Sequence, residues 1–292
     1  MDLKGKKVLA TMPGRHGDIL WALPTLRSIA QATGEKPWLM ISGKYQAIGP
    51  VVAAQPYIED VVIDRHWKVR ETAPITPAEP DELVLPEKAD VIIHLGYQRW
   101  PLEPSLPEEI LWNAERQLGV ALPDLDLHRP WIQAETLSGG LAPILAVAFT
   151  DEWAELKMGV LAAVLAAGIK ELYPEDCDLV AKAGSRVIRE WDFGLGVQDG
   201  PFKEAAICLN SAKVVLTCNS ALWVLAAGLG RPIVMVEPNA DRHNKVFLPK
   251  EWAHCMVLGG DGRPTFDARA VVEAVERAQA SPGRFSPRSH SR

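Results

Sequence analysis

The sequence predicts an α/β protein of two doubly wound, Rossmann-like domains facing across a cleft. Three observations predict it. The chain has 292 residues, close to twice the ~100–200 expected of one domain. Short β-rich runs alternate with helical periodicity, the pattern of βαβ units on parallel sheets. That alternation breaks at the small-residue stretch AETLSGGLA (134–142) and then restarts. Residues 1–135 are therefore expected to form an N-terminal domain and residues 136–280 a C-terminal one.

In the first half, KVLAT (7–11) reads as a buried strand. After the loop PGRHGD, residues 19–32 read as an amphipathic helix, with Leu20, Leu23, Leu26 and Ile29 at three-residue spacing. WLMIS (38–42), DVVI (60–63) and DVIIHL (90–95) read as strands, and residues 45–54 as helical. A long proline-bearing stretch, 64–88, is expected to be irregular, and a loop of that length is usually functional or mobile. Residues 105–119 form a helix that opens on Ser105 and Glu108, the spacing of a capping box, and closes at Gly119.

The second half repeats the pattern. ILAVAFT (144–150) is a strand, 159–167 a helix, 170–173 a weak strand, 176–183 a short helix and 186–189 a strand. Helices are expected at 201–211, 220–228 and 267–280, and strands at 214–218, 232–236 and 253–258. The end, 281–292, is rich in Ser, Pro and Arg and is expected to be a disordered tail.

Composition narrows the function. Net charge is −6 and the pI is near 5.7, so the basic field of a dedicated nucleic-acid binder is missing. The four cysteines (177, 208, 218 and 255) have no CxxC spacing, which fits a reduced cytoplasmic protein without structural zinc. The apolar run near the N-terminus is too short for a signal peptide, and no stretch approaches the ~18 apolar residues of a membrane span. Ten tryptophans are spread along the chain, so no single stacking platform for sugars or bases is expected. The Walker, dinucleotide-fingerprint, GxSxG and HExxH patterns are absent.

The chemistry must be read from two strand-to-helix junctions. In the first, MPGRHGDIL (12–20), glycines flank a turn and Asp18 stands where the helix begins. Asp18 is either a helix N-cap or a carboxylate at a cleft mouth, acting as general base. A helix N-terminus favours the charged carboxylate and lowers its basicity, so geometry would have to compensate. Arg15, His16 and Gly17 lie beside it, on the acceptor or phosphate side. A lone loop histidine such as His16 is more often only polar surface.

In the second junction, VVLTCNSALWVLAAGLGRP (214–232), a buried strand runs into Asn219 and Ser220, then an Ala-rich helix, then Gly-x-Gly-Arg-Pro. Free N–H groups at that helix start suit a diphosphate. An Asn or Ser cap with nothing bound fits the segment as well. His94 ends a strand at a carboxyl edge. Arg242, His243 and Lys245 follow another strand and read as phosphate contacts or as a solvated loop. Trp21 and Trp223 sit beside the two junctions and read first as packing residues.

GDILWALPTLRSIAQ (17–31) resembles the N-terminal signature of glycosyltransferase family 9, the ADP-heptose:lipopolysaccharide heptosyltransferases: Gly-Asp-(Ile/Val)-Leu followed by Pro-x-Leu-Arg. AKVVLTCNSALWVLAAGLGRPIVMVEP (212–238) resembles the second signature, a strand, then Asp-Ser/Thr-Gly, His-Leu-Ala-Ala-x-Leu-Gly-Lys/Arg-Pro and another strand. The resemblance implies a GT-B fold and a nucleotide-diphosphate sugar held mainly by the C-terminal domain. It implies a base at Asp18 and a diphosphate at Asn219, Ser220 and Ala221. Lys157 is the nearest match to a family lysine, and Glu175 or Asp176 to an acidic residue on the ribose.

Two departures stand out. The family's Asp-Ser-Gly is Asn219-Ser220-Ala221, and its histidine is Val224. The chain is also short for the family. The expected activity is an inverting sugar transfer without a metal or other cofactor. The partners are a nucleotide-sugar donor and a glycan or glycolipid acceptor, with at most peripheral membrane contact. The rival readings are a non-catalytic nucleotide- or sugar-binding protein and a sugar-nucleotide epimerase.

Overall fold

A computed structural model of the chain describes residues 2–67, 89–97, 105–127, 129–136, 145–148, 201–217, 221–237, 256–258 and 268–280. The elements expected at 159–167, 170–173, 176–183 and 186–189 lie outside the described residues. So do most of the long stretch 64–88, the linker beyond residue 136 and the tail. The chain divides into two compact units, the first ending at Leu127.

The first unit holds β1 (Val8–Met12), α1 (His16–Thr33), β2 (Trp38–Ser42), a 3-10 turn (Gly43–Ile48), α2 (Gly49–Ala53), β3 (Asp60–Asp64), β4 (Val91–His94) and α3 (Leu106–Leu118). The strands form a parallel sheet in the order β3-β2-β1-β4. All five residues of β1 are buried, as expected of a central strand covered on both faces. Leu9 and Met40 pack with Trp67 on the sheet, bordered by Trp38, Val62 and Ala89. Trp67 is held there by Ser42, whose hydroxyl donates to its carbonyl at 3.1 Å.

Helix α1 starts one turn before its apolar periodicity, at His16. It ends at Gly34, whose φ of 73° is the left-handed conformation that closes a helix cheaply only in glycine. The helix expected over 45–54 is split, because Pro50 sits in the first turn of a new helix, where its missing N–H and fixed φ are tolerated. The α3 expectation holds. The Ser105 backbone N–H donates to Glu108 Oε2 at 2.8 Å, and Gly119 closes the helix with φ 67°. Helices α1 and α3 pack on each other. Arg27 and Ser28, in and beside the Pro-x-Leu-Arg part of the first signature, anchor the chain that follows α3. Arg27 Nη2 donates to the Asp126 carbonyl at 2.6 Å, and Ser28 Oγ donates to that of Pro123 at 2.5 Å.

The second unit holds β5 (Leu145–Ala148), α4 (Pro201–Ser211), β6 (Val214–Thr217), α5 (Ala221–Gly228), β7 (Ile233–Glu237), β8 (Met256–Leu258) and α6 (Ala268–Ala280). Its described strands are also parallel, in the order β5-β6-β7-β8. Helix α5 is apolar all round, and every one of its residues is buried, as that composition requires. Phe202, Cys208 and Leu209 of α4 and Val271 and Val275 of α6 add to the core.

Candidate functional site

In the first sheet the chain moves outward from β1 to β2 to β3, then returns to place β4 on the other side of β1. The carboxyl ends of β1 and β4 therefore flank a point where strand order reverses. Open α/β sheets place their ligands at that point. The turn after β1 carries Arg15, His16, Gly17 and Asp18. The turn after β4 carries Leu95, Gly96 and Tyr97.

Arg15, not Asp18, is the N-cap of α1. Asp18 occupies the third helical position and reaches back, so the Arg15 backbone N–H donates to its Oδ2 at 2.8 Å. The other carboxylate oxygen, Oδ1, accepts from the Tyr97 hydroxyl at 3.1 Å. Gly14 makes room for this turn: a Cβ there would lie 2.4 Å from the Asp18 Cβ and 2.7 Å from Oδ2.

Burial pushes the Asp18 pKa above the ordinary aspartate value. The Arg15 N–H, the Tyr97 hydroxyl and the Arg15 charge pull the other way. A helix N-terminus alone would leave Asp18 a weak base; burial makes it a better one. The Tyr97 phenol is pushed well above its usual range, first by burial and then by the Asp18 charge. It is a neutral donor at any physiological pH.

His16 is 3% exposed and meets the Tyr45 ring edge-on, with centroids 4.7 Å apart. Burial lowers its pKa to about 3, so the imidazole is neutral at pH 7. Arg15 is exposed and Gly17 half-buried. His94 is half-buried, and its Nδ1 shares a hydrogen bond of 2.9 Å with Thr11 Oγ1, across the β1–β4 pair.

The second junction is described only in part. Asn219 and Ser220 lie outside the described residues, as do Lys157, Glu175, Asp176, Arg242, His243 and Lys245. Ala221 opens α5 and is buried. Val224, where the family signature has histidine, is 3% exposed. Trp21 and Trp223 are 1% and 2% exposed, so both are packing residues.

The Gly-x-Gly-Arg-Pro stretch has a structural job. Gly230, at φ 69°, ends α5, with Gly230 N–H donating to the Ala227 carbonyl and Arg231 N–H to that of Ala226. The backbone N–H groups of Trp131 and Ile132 both donate to the Gly228 carbonyl at 2.9 Å. A Cβ on Gly228 would lie 2.4 Å from Ile132 Cδ1, and one on Gly230 2.7 Å from Pro130 Cγ. Among the described residues no group of three His, Cys, Asp or Glu side chains is placed to hold a metal ion. No described helix is long and apolar enough to cross a membrane.

Tyr97 is the site residue that sequence reasoning missed. Its hydroxyl meets Asp18 across 79 positions of chain, and no motif links them. The signal was the strand order: the residues after β4 lie beside the end of β1.

No protein-family model and no curated protein matches the sequence. Solved structures do. A glycosyl transferase family 9 protein from Veillonella parvula superposes with a TM-score of 0.60 at 14% identity, over 96% of this chain and 99% of that one. The E. coli heptosyltransferase WaaC with ADP gives 0.55 at 16% identity, over 93% and 99%. The E. coli ADP-heptose LPS heptosyltransferase II gives 0.52 at 13%, over 94% and 99%. The parallel α/β fold of this chain thus matches that of GT-B glycosyltransferase structures, and its resemblance to family 9 extends from two signatures to most of its length.

Proposed function

We propose that this chain is a glycosyltransferase that moves a sugar from a nucleotide-diphosphate sugar to an acceptor hydroxyl, with inversion and without a metal or other cofactor. One observation carries the reading. At the reversal point of the first sheet stands a carboxylate, Asp18, whose oxygens are each held by a donor and whose proton affinity is raised by burial. A base so placed and so tuned suits proton abstraction near neutral pH. The likeness to a heptosyltransferase structure with ADP adds support for a nucleotide donor.

Under this reading Asp18 takes the acceptor's hydroxyl proton. The oxygen attacks the anomeric carbon from the face opposite the diphosphate. As that C–O bond forms, the bond to the leaving phosphate oxygen breaks and the diphosphate keeps the electron pair. The N–H groups at the start of α5, with Asn219, Ser220 and Ala221, stabilise the developing charge. Lys157 and Glu175 belong to the donor side, and Arg15, Gly17 and His243 to the acceptor or phosphate side. His16, buried and neutral, supports the turn rather than a charge. The acceptor is a glycan or glycolipid, met in the cytoplasm or at the inner membrane face.

A second reading, a non-catalytic nucleotide- or sugar-binding protein, is favoured by Val224, a buried apolar side chain where the family signature has histidine. One experiment separates the two. Nucleoside diphosphate release and donor binding are measured for a panel of nucleotide sugars, with wild type and Asp18→Asn. The transferase reading expects turnover of at least one donor, reduced ~10²–10⁴-fold in Asp18→Asn with donor binding unchanged. Tight binding without turnover in both proteins establishes the binding module instead. Turnover indifferent to the substitution removes Asp18 from the mechanism.

A further inference from the structure

The two donors on Asp18 differ in origin. The Arg15 N–H belongs to the same turn, so it is present whenever α1 forms. The Tyr97 hydroxyl comes from another element, and its placement depends on helix α3. Asn113 Nδ2, on a side chain buried to 2% exposure, donates to the His94 carbonyl at 3.4 Å and to that of Gly96 at 3.3 Å. Gln117 Nε2 donates to the His94 carbonyl at 2.8 Å, and Gln117 Oε1 accepts from the His94 N–H at 2.8 Å. The Leu95 N–H continues the β1–β4 pairing onto the Thr11 carbonyl at 2.8 Å. The segment 94–97 is thus fixed from both sides, and Tyr97, 4% exposed, is delivered onto the carboxylate.

We propose that Tyr97 is the positioning residue of the Asp18 carboxylate: its phenol, set by Asn113 and Gln117 of α3, fixes Oδ1 while the Arg15 N–H fixes Oδ2, so the carboxylate presents one orientation to an acceptor hydroxyl. This rests on the transferase reading for its purpose but not for its geometry. Two donors from different elements immobilise the carboxylate group, whereas one leaves it free to rotate about its Cβ–Cγ bond. A base that must meet a proton within hydrogen-bond reach gains rate from that restriction.

The phenol also stabilises the ionised carboxylate, so its loss raises the affinity of Asp18 for a proton. Among the described residues, few charged or titratable groups face Asp18. Arg15 faces it from its own turn and Tyr97 from the segment after β4. His16, two positions away on α1, is neutral, and His94 on β4 is tied through Nδ1 to Thr11.

The test uses the full chain and Tyr97→Phe, which keeps the buried ring and removes only the donor. The Asp18 carboxyl carbon is followed by NMR as pH is varied, its signal assigned by its loss in Asp18→Asn. In Tyr97→Phe it is expected to titrate at higher pH than in wild type. In turnover, kcat is expected to fall about tenfold, the scale of one charge-assisted hydrogen bond. KM should change less than about twofold, and the acid limb of the pH–rate profile should move to higher pH. Asn113→Ala, which releases the segment that holds Tyr97, should move the titration in the same direction by less. An Asp18 titration unchanged in both variants overturns the proposal. So does a rise in KM with the acid limb unmoved, which would place Tyr97 on the substrate instead. Should no donor turn over, the transferase reading fails, while the titration still decides the role of Tyr97.

Discussion

At the start of α1 the chain places a carboxylate, an exposed arginine and a phenol brought in from β4. At the start of α5 it places Ala221, Leu222, Trp223 and Val224, all buried. Both helices follow a central, buried parallel strand. The difference lies in what surrounds them. Helix α1 begins at the reversal in strand order, where Arg15 is exposed and Asp18 half-buried. Helix α5 is buried along its whole length, so its side chains serve the core. The first junction presents a side-chain carboxylate held by two donors. The second, over its described residues, presents only buried side chains.

Trp223→Ala has the largest expected effect on this contrast. A tryptophan 2% exposed, in an all-buried helix, is expected to lower the stability of the second unit by about 3–5 kcal/mol. Urea unfolding followed by circular dichroism reads it. A sugar-stacking tryptophan would instead weaken donor binding while leaving the urea midpoint in place.

Gly14→Ala tests the first junction by function. The new Cβ would stand 2.4 Å from the Asp18 Cβ, so the carboxylate must shift. A displacement of about 1 Å at a base can reduce turnover ~10²-fold. Turnover equal to wild type would mean that the carboxylate's placement does not govern the rate.

The two junctions were not equally legible in the sequence. Strands β1 and β6 showed as apolar runs, α3 as a capping box with a terminal glycine, and Asp18 as the acidic residue of a Gly-flanked turn. These are local patterns, and local physics produces them. His16 gave no sign of burial, because the ring that covers it, Tyr45, comes from the 3-10 turn after β2. The Asp18–Tyr97 bond needs β4 beside β1, a pairing that hydrophobic patterning does not encode. The Gly-x-Gly of the second junction carried no reading of its own in the sequence. It is explained by Pro130–Ile132 crossing the end of α5, a contact about a hundred residues away in sequence.

His16 sharpens the contrast through pH. Its folded pKa, about 3, lies below the ordinary histidine value of about 6.5. The folded state therefore binds fewer protons, and the stability present above pH 6.5 is lost as pH falls toward 3. Between pH 7 and pH 5 the loss from this group is up to about 2 kcal/mol. Asp18, with a raised pKa, acts with the opposite sign, so the comparison must be between two proteins. His16→Phe keeps a ring against Tyr45 and cannot titrate. Its unfolding free energy, measured in urea at pH 7 and pH 5, should fall less than that of wild type by up to that amount. Equal falls would mean that His16 takes up its proton in the folded state.

Gly230→Ala asks for the smallest effect and probes the far end of α5. At φ 69° an L-residue meets its own carbonyl, at a penalty of about 1–2 kcal/mol. The added methyl would also approach Pro130 Cγ at 2.7 Å. Gly119, at φ 67° with nothing within 4 Å of an added Cβ, supplies the control. Gly119→Ala should lose only the conformational part. The excess loss in Gly230→Ala, read from the urea midpoints of the two variants, then measures the contact with Pro130. Equal losses would show that Pro130 moves aside, and the second glycine of Gly-x-Gly would then be required only by backbone conformation.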